Sequence, residues 1–444
     1  MVEGMLSGVR VVEFGYAWAG PLVGRTMGDL GADVIKVEQD NARGGHVPDD
    51  RALRAALDDW RRGEQVEPTL RASVYPEGQP GAEPWNRSGI YNKHNRNKRS
   101  LCADLKSESG KRIWRRLVEE SDVIVDNFSP RGSQSLGIDY ETVRQWNPRI
   151  ISVSCTGYGH TGPFRQRVSY GPVLEAHSGA TSVTGYREGG PMKMGHAFPD
   201  PIGGLHGAFA VLAALWERDE TGQGCFVDLS QLQTYTAVSG DLVLETSVQG
   251  QPSTRGNRSR DGSLQGVYRC RDESPDARES MDMWIAVTIE DDEAWQRFQG
   301  VVGDERLKDT RFDDKSDRFA LHDELDGLIA EWARPQDRFA LAKRLQDAGV
   351  TALPVMTNGD LVESEHLRER GFIVAWDQPG VGTYEYGGSP IHFSDWGPAE
   401  MRPAPRLGGD NRQICAELGF SDAEIAGFVS DGTLVDVPPV GSRR

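Results

Sequence analysis

The sequence predicts an α/β fold: a large domain built on a doubly wound parallel sheet, with a second, smaller α/β domain after it. Three observations predict it. The first forty residues alternate strand, glycine-containing turn, helix and strand. The same alternation resumes after residue 95. The chain also has 444 residues, more than a single hydrophobic core usually organises.

The N-terminal element is a strand–turn–helix–strand unit. Residues 9–14 form an apolar strand, small residues fill the turn at 15–21, and a helix is predicted over 22–30 with Gly31 as its stop. A second strand follows at 34–38. Because the turn lacks the G-x-G-x-x-G spacing, a dinucleotide fingerprint is not predicted.

Later segments continue the alternation. Residues 41–92 are interpreted as a long surface excursion with one helix at 51–62. Asp200 and Pro201 mark the start of a long apolar helix. The other predicted elements are helices at 108–120 (capped by Ser107), 140–146, 202–218, 292–302, 318–332 and 421–428, and strands at 122–128, 149–155, 225–229 and 283–289.

Composition limits the classes of partner. The net charge of −17 argues against nucleic acid as the main partner, although the few phosphates of a nucleotide need only a local basic patch. No apolar run reaches the length of a membrane span, and the N-terminus lacks the pattern of a secretory signal. The five cysteines are scattered without metal-ligand spacing. We therefore expect a cytoplasmic protein with buried free thiols, no metal site and no membrane contact.

A series of short motifs in fixed order resembles one enzyme family almost from end to end. Each motif is weak alone, but this many in order are specific. The motifs are 6–14 (LSGVRVVEF), 19–21 (AGP), 30–38 (LGADVIKVE), 95–100 (NRNKRS), 104–106 (DLK), 126–128 (DNF), 157–159 (GYG), 162–163 (GP), 204–206 (GLH), 213–215 (AAL) and 404–408 (APRLG). On these residues the chain resembles the class III CoA-transferases, the family of formyl-CoA:oxalate and carnitine CoA-transferases.

The resemblance and the predicted elements together imply an architecture. We expect a Rossmann-like large domain over 1–222, completed by 400–444, then a linker with a glycine loop over 223–280 and a small α/β domain over 281–399. The family implies that two chains interlock as a homodimer, with a hetero-oligomer left open. It also implies no permanently bound cofactor, since coenzyme A and acyl-CoA thioesters are substrates.

Asp200, in the segment 195–201 (GHAFPDP), matches the nucleophilic aspartate of the family. The resemblance implies that its carboxylate attacks a donor thioester and forms a mixed anhydride, then an aspartyl-CoA thioester from which the acceptor acid takes CoA. Water must be kept out, because it would hydrolyse the anhydride. From helix rules alone Asp200 is equally an N-cap of the helix that follows, and the two roles are compatible.

Three further residues are expected to line the pocket by resemblance. Tyr170 stands where the 2-methylacyl-CoA racemases of the family carry a histidine, which stereoinversion needs opposite the aspartate. Glu175 stands where a glutamine is common, and a plain polar wall residue is the simpler interpretation. Trp18 replaces a glutamine of the oxalate-type enzymes and indicates a pocket for a less polar acid, unless it only packs on the adjacent loop.

The resemblance also implies where CoA binds. The expected contacts are Tyr16 and Ala17 at the pantetheine end, Ala103 and Lys106 at the nucleotide, and Asn127 and Phe128 along the same cleft. The arginine that usually follows the Glu38 position is Gln39 here. Candidates to supply its charge are Arg43, Arg99 and Arg131, although a solvated surface charge is the default for each. A loop at 256–263 is expected to cover the site.

Three functions are weighed. The first is a CoA-transferase between an acyl-CoA, with succinyl-CoA as one candidate donor, and an aryl- or alkyl-substituted acid. The second is a 2-methylacyl-CoA epimerase, which the missing histidine at position 170 disfavours. The third is a non-catalytic subunit of a hetero-oligomeric transferase, which the presence of Asp200 disfavours.

Overall fold

A computed structural model describes residues 4–39, 75–79, 83–272, 282–395 and 401–435. The helix predicted at 51–62 and the candidate Arg43 lie outside the described residues. The chain forms two compact units. One consists of Met1–Ala180, Met194–Ser247 and His366–Arg444, and the other of Thr181–Lys193 and Val248–Glu365.

A six-stranded sheet forms the centre of the first unit, in the spatial order β3-β2-β1-β4-β5-β6. Every neighbouring pair is parallel, which confirms the predicted parallel sheet. Its strands are β1 (Arg10–Glu13), β2 (Asp33–Glu38), β3 (Lys98–Cys102), β4 (Val123–Asp126), β5 (Ile151–Thr156) and β6 (Phe226–Ser230). The order runs outward from β1 in one direction and from β4 in the other, so the sheet is doubly wound.

Helices cover both faces of this sheet. Those from residue 19 to residue 249 are α1 (Ala19–Asp29), α2 (Pro84–Arg87), α3 (Gly89–Asn95), α4 (Glu108–Glu119), α5 (Pro130–Leu136), α6 (Tyr140–Val143), α7 (Gly171–His177), α8 (Ala180–Val183), α9 (Pro199–Thr221), α10 (Gln231–Val238) and α11 (Gly240–Gln249). The predicted cap is confirmed, since the Ser107 side chain accepts a hydrogen bond from the Gly110 N–H at the start of α4.

The two faces bury separate clusters because side chains alternate along each strand. Val12, Ile35 and Ile124 lie in one cluster, together with residues of the C-terminal helices. Val11 and Val34 lie in the other, which α9 completes. The C-terminal helices are α18 (Asn411–Glu417) and α19 (Asp422–Ser430).

The C-terminal segment also covers the edge strand β3. The Ser100 N–H donates to the Asp410 carboxylate at 2.8 Å, and the Cys102 N–H donates to the Asn411 side chain at 2.8 Å. The free edge of a sheet would otherwise present unpaired N–H groups. Residues 401–435 therefore belong to the large unit.

The second unit contains a three-stranded antiparallel sheet, in the order β7-β8-β9. Its strands are β7 (Leu264–Arg269), β8 (Trp284–Ile289) and β9 (Thr351–Pro354). Helices α12 (Asp292–Val302), α13 (Lys315–Ala320), α14 (His322–Ala333), α15 (Arg338–Asp347) and α16 (Asn358–Glu363) surround it. The helix predicted at 318–332 is thus two helices, because the chain breaks at Leu321.

Two boundaries differ from the sequence expectation. The segment 223–280, expected to be a linker, contains β6, α10, α11 and β7, since its polar residues are concentrated after Gln249. The unit around β7–β9 ends at Glu365 rather than at 399. The next residues form α17 (Glu365–Glu369) and an antiparallel hairpin of β10 (Ile373–Gln378) and β11 (Gly382–Gly387).

Three expectations from composition can be compared with the described residues. Within them, no helix is both long and apolar enough to cross a bilayer. No group of three or more potential ligands among these residues could hold a metal ion. All five cysteines are free thiols, and Cys225 is only partly buried while the other four are buried.

Glycines in α9 allow it to pack closely on α1. A Cβ added to Gly204 would lie 2.8 Å from the Leu22 Cβ and 2.9 Å from the Ala19 carbonyl oxygen. A Cβ added to Gly207 would lie 2.8 Å from a Val23 methyl group. The distance between the two helices therefore depends on residues without side chains.

Gly204→Ala is expected to destabilise the first unit by about 1–3 kcal/mol, because α9 must move away from α1. Gly427→Ala, in the exposed interior of α19, is the matched control. A Cβ there meets nothing within 4 Å, and the substitution should stabilise by about 0.5–1 kcal/mol. Urea unfolding of both variants measures the difference, and equal effects would contradict the packing argument.

Candidate active site

The crevice at the carboxyl ends of β1 and β4 is where the strand order reverses, and ligands of doubly wound sheets bind at such points. The turn after β1 and the turn after β4 are tied together there. The Tyr16 N–H donates to the Asn127 side chain at 2.8 Å, and the Asn127 amide donates to the Tyr16 carbonyl at 2.7 Å. Two residues expected to contact CoA are thus joined directly.

The other expected CoA contacts follow the ends of β3 and β4. Phe128 comes after β4 and packs against the core cluster, and exposed Arg131 lies in the first turn of α5. Ala103 follows β3 and is buried, and its N–H donates to the Glu38 carbonyl at 3.2 Å. Lys106 is exposed in the turn before α4. Arg99, by contrast, bridges Asp33 and Glu417 and is committed to structural ion pairs.

The turn between β1 and α1 is strained at one residue. Ala17 has a φ of 58°, in the left-handed region that residues with a Cβ adopt at a cost of about 1–2 kcal/mol. The next residues are Trp18, which is half-buried, and Ala19, the first residue of α1. The turn therefore places the Trp18 side chain and the Ala19 N–H at the crevice.

A buried ion triad lies beneath this turn. Glu13, at the end of β1, pairs with Lys36 of β2 at 2.8 Å and with Lys98 of β3. Lys36 also donates to the Gly15 carbonyl at 2.7 Å, and Lys98 donates to the Pro21 carbonyl at 2.8 Å. Both ends of the turn are thus held by ammonium groups.

The charges of the triad depend on one another. Burial alone would raise the pKa of Glu13, but the two ammonium groups outweigh burial and lower it. Burial lowers the pKa of Lys98 to about 7, and the Glu13 charge opposes that shift. A single carboxylate thus compensates two buried cations.

Asp200 lies within the first turn of α9, with Phe198 as the N-cap residue. The interpretation of Asp200 as the N-cap is therefore wrong. No side chain caps this helix, because the N-cap residue Phe198 has no hydrogen-bond acceptor in its side chain and Pro201 has no N–H at the third helical position. The carboxylate is left free for other partners.

Those partners are the first N–H groups of two other helices. The N–H groups of Ala19, at the start of α1, and Gly171, at the start of α7, hydrogen-bond to the Asp200 carboxylate. A Cβ on residue 171 would lie 2.2 Å from the Asp200 Oδ2 atom, so only glycine allows this approach. Three helix starts therefore converge on one carboxylate.

Burial raises the pKa of Asp200 to about 6, and the two N–H groups partly oppose that shift. The thiol of Cys155, at the end of β5, lies nearby. Burial, and next the charge of Asp200, raise the pKa of this thiol, which keeps it protonated. Of the two groups, the carboxylate is the one ionised at neutral pH.

The three predicted pocket residues belong to the two segments that meet at this carboxylate, which are the turn before α1 and the start of α7. Trp18 precedes Ala19 in the turn, and Tyr170 is the exposed residue at the start of α7, beside the Tyr16 hydroxyl. Glu175 is only 1% exposed, and neither of its carboxylate oxygens has a hydrogen-bond partner among the described residues. Its charge acts on buried Tyr235 of α10, so it lies in the wall between α7 and α10.

Residues that the sequence analysis missed stand around Trp18. Lys93 places its ammonium group 5.4 Å from the Trp18 ring centroid. The rings of His94 and His196 lie 5.2 Å and 6.3 Å away. A signal was present, because Lys93 and His94 immediately precede the 95–100 motif, but nothing in the sequence connects them to position 18.

The fold and the site together define an α/β protein whose crevice, at the reversal of strand order, contains a carboxylate held by helix N-termini. A family model described as CoA-transferase family III matches residues 6–411. The chain belongs to CoA-transferase family III.

Individual relatives agree with this membership. The chain is 30% identical over 422 residues to a probable CoA-transferase of Mycobacterium tuberculosis, covering 93% of this chain but about half, 48%, of that protein. It is 30% identical over 421 residues to the succinate–glutarate CoA-transferase of Agrobacterium fabrum, covering 93% and 95% of the two chains. The crystal structure of a CAIB/BAIF family protein from Brucella suis matches with a TM-score of 0.78 at 29% identity, covering 94% of this chain and 100% of that one.

Asp200→Asn is expected to stabilise the folded protein at pH 7. Because folding raises the pKa of Asp200 from 3.8 to about 6, its ionisation opposes folding above that range. The wild-type protein should therefore lose stability relative to the variant as the pH rises from about 4 to 6. The difference should reach roughly 1–3 kcal/mol at pH 7 and vanish below pH 4, as measured by urea unfolding. A pH-independent difference would contradict the assignment.

Proposed function

We propose that the protein transfers CoA from an acyl-CoA donor to a carboxylic acid, with Asp200 as the covalent carrier. The observation that carries the proposal is the Asp200 carboxylate, which accepts hydrogen bonds from the N–H groups of Ala19 and Gly171 at the ligand-binding crevice. A nucleophilic carboxylate must be ionised, positioned and shielded from water, and the two N–H donors and the partial burial of Asp200 support this role.

The reaction proceeds by four attacks on carbonyl carbons. An Asp200 oxygen attacks the donor thioester, the C–S bond breaks, and a mixed anhydride and the CoA thiolate form. The thiolate attacks the Asp200 carbonyl and releases the donor acid, leaving an aspartyl-CoA thioester. The acceptor carboxylate attacks that thioester and releases the thiolate, which then attacks the acceptor carbonyl of the new anhydride and frees Asp200.

None of these steps transfers a proton, so the site needs charge stabilisation rather than an acid or a base. In the second and third steps negative charge develops on an oxygen of Asp200. In this proposal the N–H groups of Ala19 and Gly171, which hydrogen-bond to the Asp200 carboxylate, act as an oxyanion hole. Removing one such donor in other acyl-transfer enzymes costs about 100- to 1,000-fold in rate.

The CoA moiety is placed along the crevice. Tyr16, Ala17, Asn127 and Phe128 border its pantetheine end, as the joined turns after β1 and β4 suggest. The phosphates are assigned to the exposed charges of Lys106 and Arg131, with Ala103 beside them. No permanently bound cofactor is needed for this chemistry.

Succinyl-CoA is the donor to test first, because a relative covering nearly the whole chain is named a succinate–glutarate CoA-transferase. Racemisation is the weaker alternative. It requires a second acid–base group facing the aspartate, and position 170 carries an exposed tyrosine rather than a histidine.

Incubation with succinyl-CoA followed by hydroxylamine is expected to leave a hydroxamate on the peptide that contains Asp200, detected by mass spectrometry. Asp200→Asn should abolish the adduct and lower kcat by about 1,000-fold or more. Asp219 is an exposed carboxylate of the same helix, and Asp219→Asn is the control variant. This variant should retain both the hydroxamate adduct and the wild-type kcat. An adduct on another residue, or full activity of Asp200→Asn, would exclude this role.

We also propose that the protein acts as a homodimer. One face of α9 exposes an apolar stripe with helical spacing: Leu205, Phe209, Leu212 and Trp216, with Phe209 and Trp216 exposed by 72% and 75%. Large aromatic side chains in such a row are typical of protein–protein interfaces. A second copy of the chain is the partner that the family resemblance suggests.

The double variant Phe209→Lys/Trp216→Lys is expected to be monomeric in size-exclusion chromatography with light scattering, while the wild type is dimeric. Glu217→Lys, on a different face of the same helix, should leave the dimer intact. A monomeric wild type that becomes active only with another polypeptide would favour the hetero-oligomer instead.

A further inference from the structure

Two cations of the neighbouring helices α1 and α3, Arg25 and Lys93, have no counter-ion among the described residues. Within the described part of the chain, neither Arg25 of α1 nor Lys93 of α3 forms an ion pair, and the Arg25 Nε atom is buried without a hydrogen-bond partner. Lys93 contacts the face of the Trp18 indole and remains exposed to solvent. A ligand can therefore reach its ammonium group.

The nearest carboxylate is already occupied. Asp29 accepts hydrogen bonds from Arg96 at 3.0 Å and 2.6 Å, and from Asn97 at 2.8 Å. In the part of the chain that the structure describes, Arg25, Lys93 and Arg96 are thus three neighbouring cations whose charge is opposed by one carboxylate, Asp29. Such a concentration of unneutralised charge is costly unless an anion binds.

The pKa shifts support this arrangement. Burial, and next the charge of Arg96, lower the pKa of Arg25 to about 10, while Asp29 opposes the shift. Burial, and next the charges of Arg25 and Arg96, lower the pKa of Lys93. Arg25 and Lys93 therefore both experience the repulsion of Arg96.

Lys93 lies over the indole ring that precedes the Ala19 N–H in the chain. Trp18 precedes Ala19, whose N–H hydrogen-bonds to Asp200, and the Trp18 ring also meets His196, four residues before Asp200. Lys93 approaches the same ring at 5.4 Å. An acid that reacts at Asp200 can extend past the indole to the ammonium group.

We propose that Arg25 and Lys93, with Trp18 between them and Asp200, form an anion subsite for the second, unreactive carboxylate of a dicarboxylic substrate. The inference rests on the proposed CoA-transferase function and specifies its substrate class. A guanidinium and an ammonium group together supply the directed hydrogen bonds that a carboxylate accepts. Trp18, which the sequence associated with a less polar acid, is here the platform beneath a cation.

The test compares two acids of equal length, glutarate and pentanoate, by isothermal titration with the full chain and no acyl-CoA present. The wild type is expected to bind glutarate about tenfold more tightly or better. Lys93→Gln should remove most of that preference, and Arg25→Gln should reduce it. Lys111→Gln, an exposed surface lysine paired with Glu108, is the control and should preserve it.

Two outcomes overturn the inference: no preference for glutarate in the wild type, or equal losses for both acids in Lys93→Gln. Titration with CoA separates the sources of the anion. If Lys93→Gln weakens CoA binding and leaves glutarate binding unchanged, the cations hold a CoA phosphate, and the inference is wrong.

Hydroxylamine trapping with acetyl-CoA tests the proposed function separately. An Asp200 adduct without glutarate preference rejects only the subsite, whereas glutarate preference without an adduct from either acetyl-CoA or succinyl-CoA supports the subsite and rejects the transferase.

Discussion

The pairing of one buried carboxylate, Glu13, with two buried ammonium groups is the constraint on which the site depends. Lys36 and Lys98 come from neighbouring strands, and each also holds a carbonyl at one end of the turn after β1. Breaking such a buried pair typically costs about 3–5 kcal/mol, since it leaves an uncompensated charge. The triad therefore maintains the strained turn at Ala17 and, through it, the direction of the Ala19 N–H. The carboxylate that we propose as the nucleophile is thus positioned by a second carboxylate, Glu13, which has no part in the proposed chemistry.

Two opposing effects determine the pKa of Asp200. Burial favours its neutral form, and the N–H groups of Ala19 and Gly171 favour its charged form. The result, a pKa of about 6, leaves the group ionised at neutral pH but more basic than an ordinary aspartate, and greater basicity favours nucleophilic attack. The missing side chain at Gly171 is essential, since a Cβ there would occupy the position of the carboxylate oxygen. The geometry of the site therefore requires that residue 171 have no side chain.

Much of the fold could be predicted because it follows from local patterns. Five of the six strands of the parallel sheet, the helix Asp292–Val302 and the Ser107 cap were predicted from periodicity and capping residues, whereas the edge strand Lys98–Cys102 was not predicted. What could not be predicted depends on distant segments. No local pattern shows that Gly171 and Ala19 meet at Asp200, or that Lys93 lies over Trp18. The helix Gly240–Gln249 was missed for a related reason, because none of its residues is buried and its apolar side chains lack a clear inward face.

The C-terminal segment that pairs the edge of β3 has a consequence for synthesis of the chain. The N–H groups of Ser100 and Cys102 are paired by residues about 310 positions later, since 309 positions separate Cys102 from Asn411. At ribosomal rates of about 5–20 residues per second, this delay amounts to about 15–60 s. Throughout that interval the nascent sheet exposes a hydrogen-bonding edge that another strand can join. Residues translated about 310 positions after β3 therefore pair the edge at which a partly synthesised chain is prone to aggregate, and a truncation before Asp410 removes that pairing.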